Sequence, residues 1–220
     1  MKKILPFILI CFGLAAAGNL AGQLWMGELA RMTKPALLPL LALATISVLP
    51  LEDKERNWLI AAQLFGWLGD VLLMQDALPW FGSGMAAFLT GHIFYMRLFG
   101  GRSWKGLTLK TWILSGIAMA ALVALLIIGI GVNGGLLPAM VIYGSALMLL
   151  CFSALCGVVR LGGKAWWLIL CGAVLFTVSD SFIAMKTFGV EDWSIHGFIV
   201  MSTYITAQAL LAAGAVKLKK

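Results

Sequence analysis

Hydrophobic residues in this chain come in long unbroken runs, not in an alternating pattern or on one face of otherwise polar segments. A helix that crosses a bilayer needs about 17–25 mostly apolar residues, and runs of that length recur along all 220 residues. They predict eight helices, over residues 4–24, 34–51, 57–75, 82–99, 109–131, 135–159, 165–187 and 196–216. Strands of a membrane barrel would alternate apolar and polar residues instead. The expected fold is all-α: one polytopic membrane helical bundle over residues 1–220, with eight transmembrane helices and both termini inside. The longest expected connection lies near Gly100–Thr108, too short for a soluble domain. Pro35, Pro50 and Pro79 fall near expected helix ends. Pro39 and Pro138 fall in first turns or just inside, where a missing N–H costs little.

The first run also has the parts of a signal peptide: Lys2-Lys3, an apolar stretch, and the small residues Ala15-Ala16-Ala17. The apolar run continues past Ala17 and more helices follow, so it is read as an uncleaved first helix.

Composition fits a membrane protein. The chain is 62% hydrophobic and 11% charged, whereas a soluble domain is about 45–50% apolar and about 25% charged. The net charge of +7 does not point to nucleic acid, because the basic residues sit at the ends of apolar runs, where topology needs them. With the N-terminus inside, thirteen basic residues fall on the inner side, among them Lys54, Arg102, Lys105, Arg160 and Lys217. Three, Arg31, Lys34 and Lys186, fall outside. The expected location is a bacterial inner (cytoplasmic) membrane, crossed several times. The four cysteines, Cys11, Cys151, Cys156 and Cys171, lie in apolar spans without a Cys-x-x-Cys pair and read as inert buried thiols.

Two carboxyls interrupt these runs. Asp70 lies in Leu64–Met74, and Asp180 lies 110 positions later in Val174–Met185. The other seven acidic residues fall in connections. An ionisable group at membrane depth costs at least about 2.5–3.5 kcal/mol, and such groups usually mark sites. Helices three and seven both run outward, so Asp70 and Asp180 belong to their outer halves. Lys34 at the start of helix two, Lys186 at the end of helix seven and His196 at the start of helix eight share that side, as do Asn19 and Gln23. A pocket toward the outer leaflet follows. Gln63, Gly66, Asp70 and Leu73 share one stripe of helix three, and Gly84, Phe88, His92 and Tyr95 share one of helix four. Tyr204 and Gln208 are one turn apart and read as supports. His92 is either a site residue or a bridge between helices. Asp70 and Asp180, each followed in the next helix by a tyrosine, Tyr95 and Tyr204, hint at two parallel four-helix halves.

Other chemistries are disfavoured. Two distant histidines make a poor zinc site, no Gly-x-Ser-x-Gly elbow occurs, and Gly131-Val-Asn-Gly-Gly135 lacks the lysine of a phosphate loop. Paired intramembrane carboxylates leave open an acid–base enzyme, a proton-coupled transporter, or a non-catalytic lipid-binding protein.

Several short pieces, in order, carry a resemblance. They are Lys34-Pro35, Leu68-Gly69-Asp70, Gly84-x-x-x-Phe88-x-x-x-His92-x-x-Tyr95, Leu175-Phe176-x-x-Ser179-Asp180-Ser181, and Tyr204-x-x-Ala207-Gln208. Over residues 34–210 the chain resembles the YhhN-like lysoplasmalogenase family of eight-helix membrane proteins. The resemblance implies hydrolysis of the vinyl-ether bond of a lysoplasmalogen, giving a fatty aldehyde and a glycerophospho-alcohol. Asp70 and Asp180 would be catalytic, with Lys34, His92, Tyr95, Ser179, Tyr204 and Gln208 binding substrate or supporting the pair. The chemistry suits two carboxyls: one protonates the β-carbon, and the other stabilises the oxocarbenium ion and takes a proton from water, as in glycoside hydrolysis. Which aspartate plays which part is open at this point. Lys34 or Lys186 would bind the lipid phosphate. The implied partner is a single-chain phospholipid within the membrane, with no metal, cofactor or nucleic acid.

Overall fold

The computed structural model of the chain describes residues 4–75, 77–132, 134–189 and 193–219. Eight α-helices occur among them: α1 Leu5–Trp25, α2 Gly27–Val48, α3 Lys54–Leu72, α4 Leu78–Ser103, α5 Leu109–Ile130, α6 Leu137–Arg160, α7 Lys164–Thr187 and α8 His196–Lys217. A short 3-10 turn, Gly134–Leu136, leads into α6. No strand occurs among the described residues. Lys2, Lys3, Asp76, Asn133, Glu191, Asp192 and Lys220 lie outside them.

Local sequence accounts for most helix ends. Proline occupies the first or second position of α1, α4 and α6, where its missing N–H breaks no helical bond. The Asp53 side chain accepts from the Glu55 N–H at the start of α3, and the Thr108 side chain accepts from the Thr111 N–H at the start of α5. Gly131, at φ 71°, closes α5 in the left-handed conformation.

The largest departure from the expected boundaries is α2. It starts at Gly27, directly after Met26, and not near residue 34. Glu28, Arg31, Thr33 and Lys34 make its first turns polar, so a hydrophobicity ruler misses them. Lys34 therefore lies inside the helix, and so do Pro35 and Pro39. A proline in a helix frees the carbonyl four residues before it. Pro39 frees that of Pro35, and the Trp67 indole N–H of α3 fills it at 3.0 Å. Glu28 and Glu55 also prove to be first-turn residues of helices, not loop residues, where negative charge suits the helix dipole. Helix α4 runs to Ser103, which shortens the Gly100–Thr108 connection to residues 104–108; the connection spanning 188–195 is longer.

Six helices, α1, α2, α5, α6, α7 and α8, are long and apolar enough to cross a membrane. Helices α3 and α4 are less apolar, and they carry Gln63, Asp70 and His92. The chain is an integral, multi-pass membrane protein built as a helical bundle. Its outward surface is what a bilayer accepts: Leu109, Ile113, Ile117, Leu125 and Ile128 of α5 are all more than half exposed. Of the four cysteines only Cys156 is buried; Cys171 is exposed on α7, and Cys11 and Cys151 are partly covered, because their helices face outward at those positions.

Three hairpins, α1–α2, α3–α4 and α7–α8, form the body. Helix α6 packs between α4 and α7, α5 covers α6, and α8 reaches α1, α2 and α3. Between membrane helices the attraction is van der Waals contact, so small residues set the distance. Gly69 shows this: a Cβ there would lie 2.6 Å from the Phe88 ring, which seats α4 directly against α3. At the other end of α3 an ion cluster ties the bundle together. Arg102 of α4 holds Glu55 through two hydrogen bonds of 3.1 and 2.6 Å and also donates to the Leu218 carbonyl at 3.2 Å. Lys219 bridges Asp53 at 2.9 Å and Glu55 at 2.8 Å.

Candidate active site

Both polar stripes face inward as their spacing predicts. Gln63, Gly66 and Asp70 on α3, and Gly84, Phe88, His92 and Tyr95 on α4, are all buried. Asp70 is 3% exposed and Asp180 8%, so neither carboxyl relies on bulk water and each needs a partner in the protein.

Asp70 has two. Its Oδ1 lies 3.5 Å from the Lys34 ammonium, and its Oδ2 accepts from the Tyr204 hydroxyl at 2.7 Å. Behind Tyr204 the chain continues: Gln208 Nε2 lies 3.5 Å from the Tyr204 oxygen, and the Tyr95 hydroxyl donates to Gln208 Oε1 at 2.6 Å. Each donor points toward the carboxylate. Four helices, α2, α3, α4 and α8, thus converge on Asp70. Removing one member of a buried ion pair costs about 3–5 kcal/mol because the other charge is left uncompensated; Lys34 and Asp70 depend on each other in this way.

Asp180 is set differently. Its Oδ2 accepts from the Tyr143 hydroxyl of α6 in a short hydrogen bond, and the residue forms part of the wall of an apolar cavity. That cavity lies between α4, α5, α6 and α7 and is partly open to the surroundings, lined by residues such as Leu73, Met85, Phe88, Val123 and Leu147.

An aromatic wall joins the two settings. Phe88 stands edge-on to Tyr204 at 6.0 Å and to Phe176 at 6.2 Å, and Phe176 stands edge-on to Tyr204 at 5.5 Å. His92 packs edge-on to Phe176 at 4.6 Å and to Tyr143 at 5.6 Å. Its Nδ1 is 2.6 Å from the Phe88 carbonyl, which only accepts, so Nδ1 carries a proton.

Of the residues singled out from sequence, Lys34, Asp70, Tyr95, Tyr204 and Gln208 form one connected chain, and His92 stands between it and Asp180. Ser179 does not enter either set; its hydroxyl donates to the Val200 carbonyl at 3.1 Å and ties α7 to α8. Asn19 likewise serves packing, donating to the Ala30 carbonyl at 2.9 Å across the α1–α2 hairpin. Neither tyrosine bonds the aspartate of the helix before it: Tyr95 donates to Gln208 and Tyr204 to Asp70, while Asp180 takes Tyr143. Sequence reasoning missed Tyr143, although a signal was present: the chain has three tyrosines, and all three are buried. A second, polar pocket opens beside Asp70, lined by Gln23, Glu28, Arg31, Lys34, Met74 and Lys186 among others.

The model of the YhhN family matches residues 29–215, which takes in every residue of both carboxyl settings. The chain belongs to the YhhN family. Among curated relatives of this YhhN protein, the lysoplasmalogenase TMEM86B of Mus musculus is 29% identical over 98% of this chain and 87% of its own length. The lysoplasmalogenase TMEM86B of Homo sapiens is 30% identical over 96% of this chain and 85% of its own. The lysoplasmalogenase TMEM86A of Bos taurus is 32% identical over 70% of this chain and 63% of its own. No solved structure matches the chain.

Proposed function

We propose that this YhhN protein hydrolyses the vinyl-ether bond of a lysoplasmalogen-like single-chain lipid, releasing a fatty aldehyde and a glycerophospho-alcohol. The observation that carries the reading is the unlike setting of two buried carboxyls. Asp70 sits against the Lys34 cation, while Asp180 has a phenol partner and walls an apolar cavity. The names of the relatives support the same reading.

The asymmetry divides the labour. Asp180, in its apolar surroundings, is the acid: it delivers a proton to the β-carbon of the vinyl ether, whose hydrocarbon tail lies in the cavity. Proton transfer to carbon leaves an oxocarbenium ion at C1. Asp70, kept as a carboxylate by Lys34 and Tyr204, stabilises that cation and takes a proton from the water that adds to C1. In the collapse of the resulting hemiacetal, Asp70 gives the proton it took from water to the departing alkoxide oxygen and the hemiacetal hydroxyl proton returns to Asp180, leaving the aldehyde, the free alcohol and both carboxyls in their starting states. One acid and one base in unlike environments is the arrangement glycosidases use for a related cation. We place the protein in a bacterial inner membrane with the pocket toward the outer side, as the charge bias favours.

The test is turnover of 1-alkenyl-lysophospholipid by the purified protein, with Asp70→Asn and Asp180→Asn alongside. Both variants keep size and much of the hydrogen bonding, so aldehyde release should stop while the thermal transition in detergent persists. In heavy water the aldehyde should carry one solvent deuterium at its α-carbon. Passage of intact lipid across liposomes with no aldehyde formed at any pH would overturn the assignment in favour of a carrier.

A further inference from the structure

We infer that the polar pocket beside Asp70 is a phosphate subsite that seats the headgroup of a single-chain phospholipid, with Arg31 and Lys186 holding the phosphate and Lys34 shared between it and Asp70. The inference rests on the reading of a lysolipid at the two carboxyls and adds the element that selects its headgroup. The pocket holds about 1360 Å³ of space open to the surroundings, and its cationic lining comes from two helices: Arg31 and Lys34 from α2, and Lys186 from the last turn of α7. Arg31 and Lys34 are three positions apart on α2, so their side chains leave the same face. Glu28 lines the pocket beside these cations. A guanidinium matches two phosphate oxygens at once, and ammonium groups add point charges.

The position of the pocket identifies which phosphate it takes. Met74 lines the polar pocket and its neighbour Leu73 lines the apolar cavity. Lys186 lines the polar pocket and Ala184, two residues earlier, lines the apolar cavity. The two spaces therefore flank the same ends of α3 and α7, one charged and one greasy, with the carboxyls nearby. An amphipath with a phosphate at one end and a hydrocarbon chain at the other fills both; inorganic phosphate or a water-soluble phosphate ester fills one. Lys34 makes the subsite more than a docking point, because the ammonium that lines the pocket is the one 3.5 Å from Asp70. A bound phosphate then competes with Asp70 for the same cation, so headgroup occupancy is coupled to the state of the base.

Binding of two saturated ether probes to the full chain in nanodiscs tests this without any turnover. The probes are 1-O-hexadecyl-lysophosphocholine and, lacking the phosphate, 1-O-hexadecylglycerol. Wild type should prefer the phosphate probe, and Arg31→Gln and Lys186→Gln should each weaken it about tenfold or more with the glycerol probe changed much less. Inorganic phosphate should compete with the lysolipid, only at far higher concentration. Lys34→Met should weaken the phosphate probe and, where wild type turns over the vinyl ether, lower kcat as well, whereas Arg31→Gln should act mainly on KM. Equal wild-type affinity for the two probes, or variants that lose both alike, would overturn the subsite. Inorganic phosphate binding as tightly as the lysolipid without displacing it would overturn the lipid headgroup as its occupant. A protein that shows the expected probe selectivity yet releases no aldehyde loses the hydrolase reading and keeps the subsite; the reverse pattern keeps the hydrolase and loses the subsite.

Discussion

The Tyr204 hydroxyl donates to Asp70 Oδ2 at 2.7 Å across 134 positions of sequence, closing α8 onto α3. Tyr143 does the same for Asp180 across 37 positions, closing α6 onto α7. Each carboxyl has its own phenol, and the third tyrosine, Tyr95, donates to Gln208 behind Tyr204.

Tyr204→Phe keeps the ring that Phe88 and Phe176 pack against and removes the donor. A hydrogen bond to a charged group is worth about 1.5–3 kcal/mol, so aldehyde release should fall by roughly 10–100-fold while the protein stays folded. Tyr143→Phe should likewise lower kcat and leave the thermal transition in place. Wild-type rates in both variants would assign the phenols to packing alone.

Val123 borders the apolar cavity and is 5% exposed. Val123→Phe fills part of the space that the proposed function gives to the lipid tail. The kcat/KM for long alkenyl chains should drop more than for short ones, read from a chain-length series on one preparation. A uniform drop across the series would separate the cavity from the tail.

Asp53 reports on the ion cluster at the opposite end. Burial pushes its carboxyl up, but the Lys219 ammonium and the backbone N–H groups of the α3 start outweigh that and hold it below its ordinary 3.8. A depressed carboxyl stabilises the folded state fully above the unfolded value and loses that contribution as pH falls through the folded value. Asp53→Asn keeps the helix cap and removes the charge. It should cost about 0.2–1 kcal/mol at pH 7, seen as a lower thermal midpoint in detergent, and the gap to wild type should close as pH falls below 3.8 and through the depressed folded value.

The proposed orientation, taken from the charge bias, puts the polar pocket on the outer side. Reporters inserted after Lys105 and after Gly162 should read cytoplasmic, and one after Gly135 external. Inverted signals would move the pocket to the inner side and change which leaflet supplies the lipid.

By itself the sequence determined the class of the protein and the residues worth examining. Continuous apolar runs can be satisfied in lipid only by helices whose backbones bond internally, so the all-α bundle follows from composition and run length. Asp70 and Asp180 stood out for the same reason, as charges where charge is expensive, and helical spacing put Gln63, Gly66 and Asp70 on one inward face. The start of α2 was not legible, because Glu28, Arg31 and Lys34 make its first turns polar and hydropathy reads them as a connection. Partner choice was not legible either. Lys34 meets Asp70, Tyr143 meets Asp180 and Tyr95 turns to Gln208 because of how α2, α4, α6 and α8 cross. Those crossings are set by contacts such as Gly69 against Phe88, between residues far apart in the chain. Spacing along a helix fixes which face a residue occupies; which residue it faces is decided only when the helices pack.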